Sequence, residues 1–193
     1  MSSWGRVVID PPDWIDDMAS PGVSFEPTDR MPFVIELARR NVVEQTGGPF
    51  GAAIFESASG ILVAPGVNRV VPTAISFAHA ETTAIGLANQ RLGVFDLGGE
   101  GLPAMELVAS TEPCALCMGA TVWSGVRKLV TGARDQDARS IGFDEGPKVA
   151  DWQDALRSRG IEVEVDVMRE EAAAILDMYA ASGALIYNGR NDA

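Results

Sequence analysis

The chain reads as a three-layer α/β/α domain, and three observations predict it. Short apolar runs of strand type alternate with helical stretches from residue 29 onward. About thirty residues separate the last two strand candidates, a crossover rather than a hairpin, so those two strands should run parallel. At 193 residues, 47% hydrophobic and 22% charged, the chain is long enough for one domain with a sizeable core and has the balance of a folded protein.

Taken in order, residues 1–28 read as an arm. Pro11, Pro12, Pro21 and Pro27 punctuate it, while Trp4, Trp14 and Phe25 give it something to pack. A helix is predicted over 29–44, with Asp29 as cap, Pro32 in the first turn, and Val34, Leu37, Ala38 and Val42 at helical spacing before Gly47-Gly48. Strands over 50–55 and 61–71 flank a Ser/Gly turn and read as a hairpin. A helix over 79–90 follows, with Ala84, Leu87 and Ala88 as its buried stripe. A strand over 106–110 comes next, and then a helix opened by Pro113 that carries Cys114, Cys117 and Thr121 to about Gly125, with Trp123 assigned to the core. Strands over 128–131 and 161–167 enclose a helix near 151–159. The chain closes with a helix over 169–181 whose apolar stripe includes Ile175, Leu176 and Tyr179.

Charge and composition narrow the partners. The formal net charge is −12 and the sequence pI about 4.4. No basic run offsets this balance, so a nucleic-acid polyanion would be repelled and a small neutral substrate suits the chain better. No apolar run approaches the roughly 18 residues of a membrane span. The first twenty residues carry Asp10, Asp13, Asp16 and Asp17 instead of a basic, then apolar, leader. The expectation is a cytoplasmic protein with no membrane partner.

The chemistry concentrates in two short stretches, His79-Ala80-Glu81 and Pro113-Cys114-Ala115-Leu116-Cys117. They hold the only histidine and the only two cysteines of the chain. A catalytic zinc site needs three protein ligands and one open position, with sulfur and imidazole as preferred donors. Cys114 and Cys117 are three apart, which places both sulfurs on one face of a helix start, where free N–H groups and the dipole favour thiolates. Two thiolates and a neutral imidazole leave a Zn(II) site near zero charge, and the pKa of water there falls toward neutrality. Glu81 is the carboxylate available to take and return a proton, although residues two apart on a regular helix do not share a face. A lone CxxC also fits a redox pair or two buried thiols. The conjunction of HxE with PCxxC, each opening a helix, is the signature of zinc-dependent deaminases, in which the Glu is not a ligand.

On these residues the sequence resembles the cytidine deaminase-like superfamily, and within it the bacterial guanine deaminases. Gly48-Pro49-Phe50-Gly51-Ala52, Asn68-Arg69-Val70-Val71-Pro72, Ala78-His79-Ala80-Glu81, Thr111-Glu112-Pro113-Cys114, Trp123-Ser124-Gly125-Val126 and Ile141-Gly142-Phe143-Asp144-Glu145-Gly146 look like successive blocks of that group. The resemblance covers residues 30–190 and leaves the arm outside. It implies a deaminase domain over 29–193 with the cytidine deaminase-like fold, a five-stranded mixed sheet with strands 4 and 5 parallel. It implies zinc held by His79, Cys114 and Cys117, with Glu81 and Glu145 as catalytic carboxylates. It implies Phe50, Asn68, Ala80 and Asp144 at the substrate, a homodimer, and closure of the pocket by Ile186-Tyr187-Asn188, in some members from a partner subunit. Beside these roles, Asn68 could be a turn residue, Phe50 core and Glu145 a solvated carboxylate, while for Tyr187 packing and lid are an even choice. The activity implied is hydrolytic deamination of a free nucleobase, guanine to xanthine, with amino-triazines such as ammeline within reach of the same pocket. Two rivals stand beside it. One is a cytosine, nucleoside or tRNA adenosine deaminase on the same zinc core, and the other a zinc-stabilised or redox domain without catalysis.

Overall fold

A computed structural model describes residues 4–189, so the outermost residues of the expected arm and domain, 1–3 and 190–193, lie outside the described residues. Five strands form one sheet: β1 (Gly51–Glu56), β2 (Leu62–Val67), β3 (Met105–Thr111), β4 (Lys128–Ala133) and β5 (Glu162–Glu164). Their order is β2-β1-β3-β4-β5. β1 pairs antiparallel with both β2 and β3, while β3, β4 and β5 run parallel, as the crossover length and the resemblance predict.

Among the described residues seven α-helices accompany the sheet: α1 (Pro27–Val43), α2 (Val70–Thr73), α3 (Ala80–Leu92), α4 (Ala115–Ser124), α5 (Asp135–Ser140), α6 (Trp152–Arg157) and α7 (Arg169–Ala181). Alternation along the strands sorts them into two layers. Ala53 and Phe55 of β1 face a core shared with Val34, Leu37 and Ala38 of α1 and Ile175, Leu176 and Tyr179 of α7. Ala52 and Ile54 face the opposite core with Ala84 and Ala88 of α3 and Trp152 and Leu156 of α6. The domain is the three-layer arrangement expected.

Several details depart from the sequence expectation. α1 begins at Pro27 with Glu26 at its N-cap, so Asp29 lies inside the first turn, where its charge still meets the positive dipole end, and Pro32 lies inside the helix. β2 stops at Val67, and Val70 and Val71, expected to be strand, form the short α2. α5 is absent from the sequence reading because its six residues, DQDARS, carry only one buried apolar side chain, Ala138. Leu87 is half-buried rather than core. Trp123, assigned to the core, is 85% exposed, since α4 turns Cys117, Thr121 and Ser124 inward and presents Trp123 on the opposite side.

The described part of the arm packs on its own chain. The Phe25 ring lies 4.7 Å from that of Phe33, Trp14 Nε1 donates to Thr46 Oγ1 at 3.1 Å, and Phe25 O accepts from Arg30 Nε of α1 at 3.4 Å. Trp4, by contrast, is almost fully exposed.

Strand register brings the functional segments to one end of the sheet. Gly51 pairs with Val67 and Ala52 with Ala109, so Phe50, Asn68 and the segment leaving β3 meet at the carboxyl ends of the parallel strands. Open α/β sheets bind ligands at this end.

Candidate active site

Three soft donors converge there. His79 Nδ1 lies 3.5 Å from Cys114 Sγ and 3.4 Å from Cys117 Sγ, and the three ligand atoms lie within 4.8 Å of one another. Among the described residues this is the cluster able to hold a metal ion. The donor chemistry fits zinc, with one imidazole and two sulfurs leaving a fourth position open toward a cavity that His79 and Cys114 line.

The geometry comes from two helix N-termini. His79 is the N-cap of α3, with extended backbone at φ −73° and ψ 163°. Cys114 is the N-cap of α4, at φ −66° and ψ 175°, which puts Pro113 before the helix and Cys117 at its third position. An N-cap side chain folds back over the third helical residue, so Cys114 and Cys117 meet as the two members of a capping box do. The same fact removes the obstacle to Glu81. Because His79 is not helical, the rule that residues two apart diverge does not apply, and Glu81 lines the cavity together with His79. Gly66 fixes where α3 begins, since a Cβ there would meet Ala80 O at 2.3 Å and Ala84 N at 2.5 Å. Only glycine lets α3 lie that close to β2.

Electrostatics in the metal-free protein follow from crowding. A hydrogen bond from Cys117 is the largest influence on Cys114; with help from His79 it holds that thiol down to about 4 against the opposing effect of burial. Cys117, the donor of that bond and buried itself, is pushed well above the ordinary thiol value. One sulfur is therefore a thiolate and its neighbour carries the proton that a dication would displace. Burial raises Glu81, with the Cys114 charge adding to it. Burial, then the charges of Cys114 and Glu81, raise Glu145 to about 8.

The rest of the cavity wall comes from Phe50, Gly51, Asn68, residues 109–112, Asp144, Glu145 and Tyr187. Asn68 is 1% exposed and its Oδ1 accepts the Val70 N–H at 3.2 Å. Phe50 is half-buried, its ring 5.0 Å from that of Phe143, and Phe143 in turn lies 5.3 Å from Tyr187. Glu145 is buried, and its backbone carbonyl accepts the Ala115 N–H at 2.9 Å, tying it to the start of α4. Gly146, at φ +70°, allows this approach, since a Cβ there would meet that of Ala115 at 3.1 Å. Asp144 stands at the exposed rim, where its Oδ1 accepts the Gly146 N–H at 2.9 Å. Ala80 is buried in the core cluster on the α3 side of the sheet and does not line the cavity.

A metal cluster at two helix starts, with a buried glutamate over its open side, matches one family. A model of the cytidine and deoxycytidylate deaminase zinc-binding region matches residues 27–133, more than half of the chain. The chain belongs to that deaminase family. A guanine deaminase of Bacillus subtilis is 37% identical over 111 residues, 58% of this chain and 67% of its own length. Among solved structures, a guanine deaminase from Nitrosomonas europaea superposes with a TM-score of 0.86 at 46% identity, over 94% of this chain and 98% of that one. Another, in complex with 2,6-diaminopurine, gives 0.88 at 47% identity over 96% and 98%. The deaminase family match spans Asn68, His79, Glu81, Cys114 and Cys117 and stops short of Asp144, Glu145 and Tyr187.

Some residues that shape this deaminase site went unread in the sequence. Asn41 of α1 is fully buried and its Nδ2 donates to Gly48 O at 2.7 Å and Asn68 O at 2.9 Å, holding two edges of the cavity. Its signal is a polar residue on the apolar stripe of α1, seven positions after Val34 and four after Leu37. Ser110 Oγ accepts the Gly51 N–H at 3.1 Å. Asn188, grouped with the closing segment, bridges to the Glu145 loop by accepting the Asp144 N–H and donating to Gly142 O, both at 2.9 Å.

Proposed function

We propose that this deaminase converts guanine to xanthine and ammonia by hydrolysis. The observation that carries the reading is a pair of buried carboxylic acids, Glu81 and Glu145, lining one small cavity with the metal cluster and the Asn68 amide. The neighbouring structures hold 2,6-diaminopurine and 8-azaguanine, which supports a purine-like base as substrate.

When bound, zinc supplies Lewis-acid activation of water at the open side of the cluster. The residues of the chain do the rest. Glu81 takes a proton from the attacking water and delivers it to the amine as the carbon–nitrogen bond breaks and ammonia leaves. Glu145 reads ring N–H groups and passes protons beside it. Asn68 spends its Oδ1 on Val70, which leaves Nδ2 to donate to a ring acceptor. Phe50 gives the ring an apolar face, Asp144 completes the substrate wall at its rim, and Tyr187 closes the mouth. Amino-triazines such as ammeline fall within the same recognition. We further place the protein in the cytoplasm; no described helix is long and apolar enough to cross a membrane. We assign residues 29–193 to the catalytic domain, and a homodimer in which the exposed Leu116 and Trp123 of α4 are covered.

An ammonia-release screen over guanine, cytosine, adenine, their nucleosides and amino-triazines tests this. Guanine should lead, with xanthine as product, and Glu81→Gln should lower turnover by roughly 10²- to 10⁴-fold with zinc retained. Faster deamination of a tRNA anticodon stem than of guanine would overturn the substrate, and unchanged ammonia release in Glu81→Gln would overturn the hydrolase.

A further inference from the structure

The Glu145 segment leaves the cavity through a compact set of charges that the deamination chemistry does not use. Asp135, the first residue of α5, sits between two cations. Arg139 Nε donates to Asp135 Oδ2 at 2.6 Å, and Lys148 Nζ lies 3.0 Å from Asp135 Oδ1. Each cation grips the other side of the same loop. Arg139 Nη2 donates to Gly146 O at 3.0 Å, and Arg139 Nη1 is 3.8 Å from Asp144 Oδ1. Lys148, two residues past Gly146, has its side chain 8% exposed and its ammonium 5.1 Å from the Trp152 ring centroid. That ammonium also donates to Glu112 Oε2 at 3.2 Å, and Glu112 belongs to the cavity wall.

We propose that Asp135 is a positioning residue for the reaction, fixing the Glu145 loop over the cavity through Arg139 and Lys148. The inference rests on the guanine-deaminase reading of Glu145. Two features separate it from an ordinary surface ion pair. Asp135 is the shared acceptor, so its loss frees Arg139, whose side chain is 42% exposed, to swing into solvent and release Gly146 O. Lys148 keeps Glu112, so the buried part of the cluster survives and the fold has little reason to fail. Only the Arg139 arm of the cluster opens to solvent, where an ion pair contributes little to stability, and Lys148 stays paired with Glu112, whereas a displacement on the ångström scale at a reacting group costs rate steeply. Asp135 therefore controls rate more than it controls folding.

The test is a double-mutant cycle on the zinc-loaded enzyme with guanine. Asp135→Asn should lower kcat by roughly tenfold to a hundredfold, with zinc content and melting temperature nearly unchanged. In a Glu145→Gln background the same change should have no further effect. Arg139→Lys keeps a cation for Asp135 and loses the fork that reaches Gly146, and should repeat the loss of kcat if Asp135→Asn folds poorly. Equal losses in both backgrounds, or a loss matched by missing zinc, would overturn the inference. An unimpaired Asp135→Asn beside an inactive Glu145→Gln would overturn it alone. Full activity of Glu145→Gln would overturn the reading of Glu145 and this inference with it.

Discussion

The two walls of the cavity are built by different means. On the metal wall every functional side chain sits at or near a helix N-terminus, and two helices packed on each other fix His79, Glu81, Cys114 and Cys117 within short stretches of sequence. On the opposite wall Glu145 and Tyr187 sit on irregular segments, held by single side chains from far along the chain. Asn188 bridges 44 residues to Asp144, and Lys148 bridges 36 to Glu112. On the proposed reading, the metal wall carries the water activation and the loop wall fits the base, with Glu145 serving both. A rigid helix start can hold an ion in one geometry, while loops pinned by a few hydrogen bonds can be re-cut to fit another ring.

Breaking the metal wall should therefore be all or none. Cys117→Ala removes a buried ligand, and we expect zinc content near zero by elemental analysis and no measurable ammonia release on any base. Residual activity on one base alone would sink the idea that this wall is indifferent to substrate.

The opposite wall should fail by degrees. Tyr187→Ala removes the ring that lines the mouth and packs on Phe143, and we expect KM for guanine to rise about tenfold to a hundredfold with zinc retained. An equal fall in kcat and in zinc content would show instead that the segment supports the fold.

The last effect is electrostatic and is read on stability, with no bearing on turnover. In the metal-free protein burial, then the charges of Cys114, Glu81 and Asp135, raise the Glu145 carboxyl from 4.5 to about 8. Between those values the folded chain holds a proton that the unfolded chain has released. This contribution to stability is complete below about 4.5 and is lost as pH rises through about 8. Glu145→Gln abolishes it, so the stripped variant should gain on the stripped wild type by at most about 1.4 kcal/mol per pH unit across that window in urea titrations. Parallel curves at pH 6 and 8 would contradict the shift.

The same division explains what could be read from sequence. The three ligands and Glu81 were legible because a chain with one histidine and two cysteines leaves few choices, and because helix-start spacing is a local property. The sheet was legible because its strands are short apolar runs and its last crossover is long. Trp123 was misplaced because helical periodicity in an apolar stretch such as ALCMGATVWS does not say which face meets the core. α5 and β2 were misjudged where few buried side chains or a turn after Asn68 decide the backbone. Asp135 and Lys148 were illegible for a further reason, since their roles exist only once segments distant in sequence have been brought together.

One histidine facing two sulfurs through a single ring nitrogen also makes the protein its own probe. A nitrogen-15 label on imidazole would give one ring spin system per chain, and Ellman's reagent would count thiols that all belong to the ligand set. Cobalt substituted for zinc would colour the protein through thiolate charge transfer with no other cysteine to confuse the spectrum. Occupancy, ligand exchange and the arrival of a base could each be followed in the intact enzyme, without a reporter being added.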